Sequence, residues 1–443
     1  MNMTAQTIGI SDLRSGKPER SQSGQKLEQQ TVMLVSLFPT HPAIRGRRIR
    51  LLQLAKALRR LKYRVVLAYQ DFDRGDLRAM RRFWGDALYF KSYKSTNLLW
   101  QARQFCRRLQ AHSPPIRKWT NRLLKSIRMS EPDAHGVGRT IALDEWYDGQ
   151  MTSFLKSVCK TENPSAVICM DVFMSKSFDA VPNHVLRILD TNDVYSIGRE
   201  PEELAMRRNW VNLSVGDEIR GYRRADLIWA IQDTECATIR REVPDVDVVT
   251  VGHIVDLVQP HHSSTLKSKN IALVASKHKW NVQGLQWFAE SVYPRMRDWL
   301  LPENVLVAGN IADVLAGKLP FQFLGCVENL TALYKNTRVV ISPILGGTGL
   351  KIKNIEPMGH GKAVVTTRFA ASGLEDGENL AYLPADDPAE FAQMVKRLME
   401  EDLECLRVSK AAYAYAQRWN DRVMDSLAHS LRPLRASNAH YVG

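Results

Sequence analysis

The stretch VVISPILGGTGLKIKNIEPMGHGKAVVTTRFAASGLE, residues 339–375, decides how the rest of the chain is read. It reads as strand, glycine loop, helix, turn and strand. The apolar, β-branched run at 339–342 has the character of a buried strand. Gly346, Gly347 and Gly349 let the backbone approach a ligand closely and adopt positive φ where a turn needs it. Thr348 and Leu350 complete the loop, and a helix is expected to begin near 348–350. Its free N–H groups and dipole would favour a phosphate. Lys351 and Lys353 add positive charge. Lys353 and Glu356 are three residues apart on that helix and share a face. A carboxylate there can accept two hydrogen bonds from the vicinal diol of a ribose. The same residues also admit a plainer reading, a tight turn followed by a solvated Lys–Glu pair. The loop matches neither the Walker A pattern nor GxGxxG.

Outward from this stretch, strands and helices alternate. Strands are expected at 271–275, 304–308, 321–325, 339–342 and 363–366, followed by a helical C-terminal stretch at 388–434. Upstream, the polar run DLVQPHHSSTLKSKN at 256–270 reads as a linker. An earlier series places strands at 31–37, 64–69, 165–170, 185–189, 226–231 and 246–251. Its helices are expected at 45–61, 143–161 and 200–224, and the segment 74–128 reads as basic and helical, broken by Pro114 and Pro115. Strand, helix, strand near the start is a βαβ unit, which implies a parallel sheet. At roughly 100–200 residues per domain, 443 residues suit two or three domains. The expected fold is α/β, with two doubly wound Rossmann-like domains at 31–256 and 257–443 after a leader at 1–30 expected to be disordered. Ligands of such folds sit at the carboxyl ends of the strands, and between two such domains in the cleft.

The stretch at 339–375 resembles the nucleotide-sugar signature of retaining GT-B glycosyltransferases, family 4 (glycosyl transferases group 1). That pattern runs from an apolar strand through Pro and a glycine loop to Lys-x-x-Glu-Ala-Met, a small residue and Gly. A Val-Val strand and Gly-x-x-Gly-Leu complete it. Pro343, Gly346, Gly347, Lys353, Glu356, Met358, Gly361, Val364, Val365, Gly373 and Leu374 fill it in register. Further segments are similar to the family across most of the chain. Phe38 and Pro39 with Gly46 and Arg50 resemble its N-terminal loop, and LDTNDVYSIGR at 189–199 resembles its Asp-x-His-Asp segment. ADLIWAIQDTE at 225–235 and SKHKWNVQGLQWFAESVYP at 276–294, with Asn281 in its usual place, continue the likeness.

The resemblance implies a hexosyltransferase that moves a sugar from a UDP- or GDP-sugar to an acceptor hydroxyl, with retention and without a metal or other cofactor. Lys353 and Glu356 would be the catalytic pair, with Lys353 or Lys277 neutralising the diphosphate and Glu356 holding the ribose. Gly346, Gly347, Thr348, Gly349, Leu350, Lys277 and Asn281 would line the donor side. His41, Gly46, Arg50, Asn192 and Asp193 would line the acceptor side. The chain departs from the pattern at Thr348, where the family often has a first glutamate, and at Asn192, where it has His. Lys277 and Lys279 stand in for its Gly-Arg-x-x-x-x-Lys segment. Asn can hydrogen-bond a sugar but cannot shuttle a proton. Asn192 and Asp193 equally suit the cap of a following helix. A catalytically inactive protein of the same fold, binding a nucleotide sugar or glycan, therefore stays open beside the enzyme.

The charge is uneven. Lys and Arg number 61 against 47 Asp and Glu, a net +14. Between 41 and 130 there are roughly 23 basic and roughly 4 acidic residues, so this window supplies the whole excess. Its aromatics, among them Trp84, Tyr89, Tyr93, Trp100 and Trp119, suit peripheral contact with an anionic membrane. A nucleic-acid groove or a solvated helical face would use the same residues. The family likeness favours the membrane and a lipid-linked or polysaccharide acceptor in envelope or exopolysaccharide synthesis, with no nucleic-acid partner. The polar start lacks the apolar core of a secretion signal, and no apolar run has membrane-spanning length. The expected location is therefore the cytoplasm, on the inner membrane face. The six cysteines show no CxxC spacing and read as reduced core residues. Asp71 with Asp73 and Asp245 with Asp247 have metal-type DxD spacing, but turn carboxylates beside strands are common. Asp144, Glu145 and Asp148 read as the acidic first turn of the helix expected at 143–161.

Overall fold

The structure is a computed structural model. It describes residues 29–43, 46–70, 76–93, 142–197, 213–260, 262–327, 329–347 and 350–432. The expected leader, Thr348, Gly349, Asp71, Asp73 and most of the basic segment lie outside the described residues. Two compact units form. One comprises Ala43–Gln53 and Gly252–Leu427, and the other contains Leu54–Val251 with the described residues 29–42 and 428–432. Neither unit is one continuous span, unlike the expected halves at 31–256 and 257–443.

The N-terminal unit is built on seven parallel strands: β1 (Thr31–Ser36), β2 (Arg64–Gln70), β3 (Tyr89–Tyr93), β4 (Ala166–Met170), β5 (Leu186–Asp190), β6 (Leu227–Ala230) and β7 (Asp247–Thr250). They lie in the order β3-β2-β1-β4-β5-β6-β7. β1 and β4 are buried along their whole length, as strands covered on both faces must be. The helices are α1 (Gly46–Arg60), of which the part up to Gln53 groups with the other unit, α2 (Leu77–Trp84), α3 (Met151–Glu162), α4 (Val215–Tyr222) and α5 (Asp233–Glu242). Leu51, Leu54, Ala55 and Leu58 form the buried stripe of α1. Ser214 caps α4 by accepting from Asp217 N. A 3-10 segment, Val172–Ala180, follows β4.

The other unit has six parallel strands: β8 (Ile271–Val274), β9 (Val305–Ala308), β10 (Gln322–Gly325), β11 (Val339–Ser342), β12 (Ala363–Thr366) and β13 (Leu383–Pro384). Their order is β10-β9-β8-β11-β12-β13. The helices are α6 (His262–Lys267), α7 (Lys279–Trp287), α8 (Ala312–Leu315), α9 (Leu330–Lys335), α10 (Ile352–Gly359), α11 (Pro388–Glu400) and α12 (Asp402–Ser430). Asp387 caps α11 by accepting from Ala389 N and Glu390 N, with Pro388 at the first helical position. Ile271, Leu273, Val305, Val307, Phe288, Val339, Ile341, Val365 and Phe391 make the core, each 0–1% exposed. Burying such side chains contributes about 1.5–3 kcal/mol apiece.

Several expectations are corrected. Residues 89–93, expected within a helix, form the sheet-edge strand β3; its aromatic residues favour a pleated, part-exposed strand. The helix expected from 143 begins at Met151. The acidic residues before it serve tertiary contacts instead. Asp144 pairs with both Arg224 amino nitrogens at 2.6 and 2.8 Å, and buried Asp148 accepts from Tyr93 Oη at 2.9 Å. The expected linker contains α6, and Val258 N donates to Gly359 O at 2.9 Å. Among the described residues of the helix expected at 200–224, only Val215–Tyr222 is helical. Cys326 is exposed rather than in the core, while Cys159, Cys169, Cys236 and Cys405 are buried free thiols.

Candidate functional site

The strand order reverses between β8 and β11, which pair through Val339–Ile271 and Val340–Ala272. Their carboxyl ends therefore release two segments side by side, 275–281 and 343–347, at the position where doubly wound sheets bind ligands. Backbone contact fixes the spacing. A side-chain carbon at Gly284 of α7 would run into the Pro343 carbonyl oxygen. The glycine loop then lies over the Trp280 indole. A carbon added at Gly346 would strike Cε3, and would sit 2.5 Å from Cζ3 and 2.8 Å from Cδ2. Gly347 has φ +118° and lies over the same ring.

The helix that follows begins at Ile352, two to four residues later than expected. Buried Asn354 secures it, donating through Nδ2 to Ala370 O at 2.5 Å and Thr366 Oγ1 at 3.3 Å. Thr366 Oγ1 donates to Ser342 O at 3.1 Å, and Thr367 Oγ1 donates to Ile344 O. These bonds pin both ends of the loop to β11 and β12.

The charges of the site are concentrated on α10 and the start of α7. Lys353 is largely enclosed. Burial, and then the neighbouring Lys351 charge, lowers its pKa to about 7. Its Nζ donates to Asn281 Oδ1. Among the described residues no carboxylate pairs with it. His278 is lowered to about 4 by burial and by Lys353, Lys279 and Lys351, so it is neutral at pH 7. Lys279 Nζ sits 4.6 Å from the Trp280 ring centre, and Lys351 Nζ 5.2 Å from that of Phe369. Glu356, one turn beyond Lys353, is raised to about 7 by burial and then by the Asp256 charge. Some of its side chain is still accessible. The buried Tyr334 hydroxyl lies beside it, short of ordinary hydrogen-bond geometry. The site thus concentrates positive charge beside a carboxyl group that can take or give a proton near neutrality.

The structure brings together Gly346, Gly347, Leu350, Asn281, Lys353 and Glu356. Lys277 is separate in character: half exposed, it pairs with Asp313 at 3.0 Å. The residues expected on the acceptor side divide between the units. Gly46 and Arg50 group with the glycine-loop unit. A side-chain carbon at Gly46 would lie 3.7 Å from Ile352 Cδ1. Buried Arg50 donates to Gly252 O at 3.0 Å. His41, Asn192 and Asp193 belong to the N-terminal unit. His41 Nδ1 is 2.9 Å from Thr40 Oγ1, and its ring packs on Phe83. Asn192 and Asp193 follow β5 and cap no helix within the described residues. The loop after them is fixed by Glu218, fully buried. It accepts from the Tyr195, Ser196 and Ile197 backbone N–H groups, Ser196 Oγ and Tyr222 Oη at 2.6–2.9 Å. Asp245, of the second DxD, pairs with Arg223 at 3.0 Å. No cluster of three or more His, Cys, Asp or Glu with metal-holding geometry occurs among the described residues. No helix there is long and apolar enough to cross a membrane.

Sequence reasoning missed Trp280, Ser276, Tyr334 and Asp256. A glycine pair signals that something lies close by, but not what.

The family model for "Glycosyl transferases group 1" matches residues 268–401, the segment that holds this site. Residues 268–401 are thus similar to a group 1 glycosyltransferase domain. A curated relative, an "Uncharacterized 44.6 kDa protein in cps region" of Klebsiella pneumoniae, is 25% identical over 127 residues. The match covers 26% of this chain and 33% of that protein, so it spans a third of the relative's length. Solved structures share the fold over most of the chain. Anabaena Alr3699/HepE in complex with UDP and glucose has TM-score 0.60 at 12% identity, covering 91% of this chain and 99% of that one. Sucrose-phosphate synthase (tll1590) from Thermosynechococcus elongatus has TM-score 0.61 at 13% identity, covering 92% and 100%. A variant of S. aureus TarM, in complex with Fondaparinux, alpha-GlcNAc-glycerol and UDP, has TM-score 0.61 at 10% identity, covering 90% and 99%. At these identities the likeness is one of fold, and the fold is GT-B: two Rossmann-like units.

Proposed function

We propose that this protein transfers a hexosyl group from a UDP- or GDP-sugar to an acceptor hydroxyl, with retained anomeric configuration. The observation that carries the reading is the Lys353 ammonium, enclosed at the switch point with no carboxylate partner among the described residues and one helical turn before Glu356. As the sugar–phosphate bond breaks, negative charge grows on the leaving diphosphate. A cation already held in place stabilises that charge without reorganisation. Lys353 would face the diphosphate, the glycine-loop amides the phosphate or sugar, and Glu356 the ribose diol. No metal is assigned to the reaction. The UDP in the HepE and TarM complexes supports a nucleotide donor. Donor hydrolysis or transfer by the purified protein, across a panel of UDP- and GDP-sugars, tests the reading. Wild type turns over at least one donor and Glu356→Ala turns over none. Binding without turnover would instead make the protein a nucleotide-sugar receptor.

For the acceptor, the proposal is a lipid-linked or polysaccharide chain of the cell envelope, reached at an anionic membrane from the cytoplasmic side. The cps-region relative supports polysaccharide synthesis. In the described part of the basic window, α2 buries Met80 and Trp84 and exposes Arg78, Arg81 and Arg82 on its other face. Lysines and arginines near such a surface contribute about 1 kcal/mol each.

A further inference from the structure

The environment of Asn281 differs from that of a ligand-contacting amide. Its side chain is 7% exposed. Both of its amide hydrogens are used at Ser276, where Nδ2 donates to the backbone oxygen and to Oγ, each at 2.9 Å. That fixes the amide's orientation, because an ammonium can be met only by the oxygen. Oδ1 accordingly accepts from Lys353 Nζ. The Lys351 charge at the start of α10 acts on Lys353, and Lys353, Lys279 and Lys351 together act on His278 at the start of α7. Each of these is cationic or, for His278, neutral. Among the described residues, the polar group that accepts from the ammonium is therefore an uncharged amide.

This choice has a chemical consequence. A carboxylate at the same position would hold the ammonium equally well, but would also cancel its charge and compete with an incoming phosphate. An amide oxygen holds it and leaves the charge available. We infer that Asn281, oriented by Ser276, is a positioning residue that holds the Lys353 ammonium for a nucleoside diphosphate without neutralising it. The inference rests on the proposed nucleotide-sugar reading and assigns Asn281 an action through Lys353 in place of direct contact with the donor.

The test uses the full chain and two readouts. The first is the titration of Lys353 in the ligand-free protein, followed by NMR of [13Cε]lysine and assigned with Lys353→Arg. The second is binding of UDP and GDP, with uridine and guanosine as the phosphate-free probes, by calorimetry at pH 6.5. Asn281→Asp keeps the shape and adds a charge. It is expected to lower the acid constant of Lys353 at least about tenfold and to weaken diphosphate binding at least about tenfold, while nucleoside binding stays within about twofold. Ser276→Ala, which frees one amide hydrogen, is expected to shift both in the direction of a looser Lys353 contact. The inference is overturned if Asn281→Asp leaves the Lys353 titration where it was. It is also overturned if nucleoside binding falls as much as diphosphate binding, which would mean that residue 281 touches the ligand or supports only the fold. Should Asn281→Asp fail to fold by circular dichroism, Ser276→Ala decides alone by whether the Lys353 titration moves. If wild type binds neither UDP nor GDP, the nucleotide-sugar reading fails, and the titration still decides the Asn281–Lys353 link.

Discussion

Gly346→Ala is the most direct probe of the glycine loop. The added methyl would meet three indole carbons of Trp280, two of them at 2.5 and 2.8 Å. Carbon atoms rest at about 3.5–4.0 Å, so the overlap is close to an ångström. The indole has little room to retreat, because Lys279 lies over it and Gly347 packs on the same ring. Overpacking of this kind costs about 1–3 kcal/mol. If the loop moves to relieve it, groups aimed at the donor are displaced by about 1 Å, enough for a loss of about a hundredfold in rate. The assay is a double-mutant cycle. Thermal melting and UDP or GDP affinity are measured for wild type, Gly346→Ala, Trp280→Leu and the double variant. Removing the indole should erase most of the methyl's cost, giving a coupling of at least about 1 kcal/mol. Additivity to within about 0.3–0.5 kcal/mol would refute the contact, as would Gly346→Ala binding with wild-type affinity.

Diphosphate binding should follow a bell centred near pH 7. It needs Lys353 protonated, which holds below about 7, and Glu356 ionised, which holds above about 7. Lys353→Arg should abolish the alkaline fall and Glu356→Gln the acid fall, as read by calorimetry from pH 5.5 to 9; an unchanged profile in either variant would contradict its assignment. Lys277→Met should change nucleotide affinity less than about threefold, because that side chain is already paired with Asp313 at the surface. Glu218→Gln should lower unfolding stability by about 2–4 kcal/mol in urea melts, since it turns an amide N–H toward donors that now share a carboxylate. Reversing Arg78, Arg81 and Arg82 to Glu should release the protein from anionic vesicles in a flotation assay and leave soluble-donor hydrolysis intact; retention on vesicles would remove α2 from the membrane-facing surface.

Most of the α/β alternation is legible in the chain because parallel strands buried on both faces read as unbroken apolar runs. Thr31–Ser36, Ala166–Met170 and Val339–Ser342 are such runs. Tyr89–Tyr93 is not, being an edge strand with three exposed residues, and the basic residues around it suggested a helix. The short strand Leu383–Pro384 carries too few residues to show a period. At the site, Lys353 and Glu356 were legible through their spacing on one helix. Trp280 and Asn281 were harder to interpret, because what they do depends on partners from β11 and α10 that only the sheet order brings near. The same tertiary logic explains Asp144 and Asp148, whose acidic cluster looked local and instead serves partners distant in sequence.

The contact between Gly284 and the Pro343 carbonyl bears on how such a domain could change its preferences. Where backbone rests on backbone, the gap between α7 and the end of β11 does not depend on the size of any side chain. Exchanges at nearby exposed positions such as Leu345 and Phe369, 43% and 42% exposed, can then reshape the surface beside the glycine loop while its frame stays at the same spacing. A library diversified at those two positions should yield folded proteins with altered sugar selectivity far more often than one diversified at Gly284, where nearly every replacement has to pry the two elements apart.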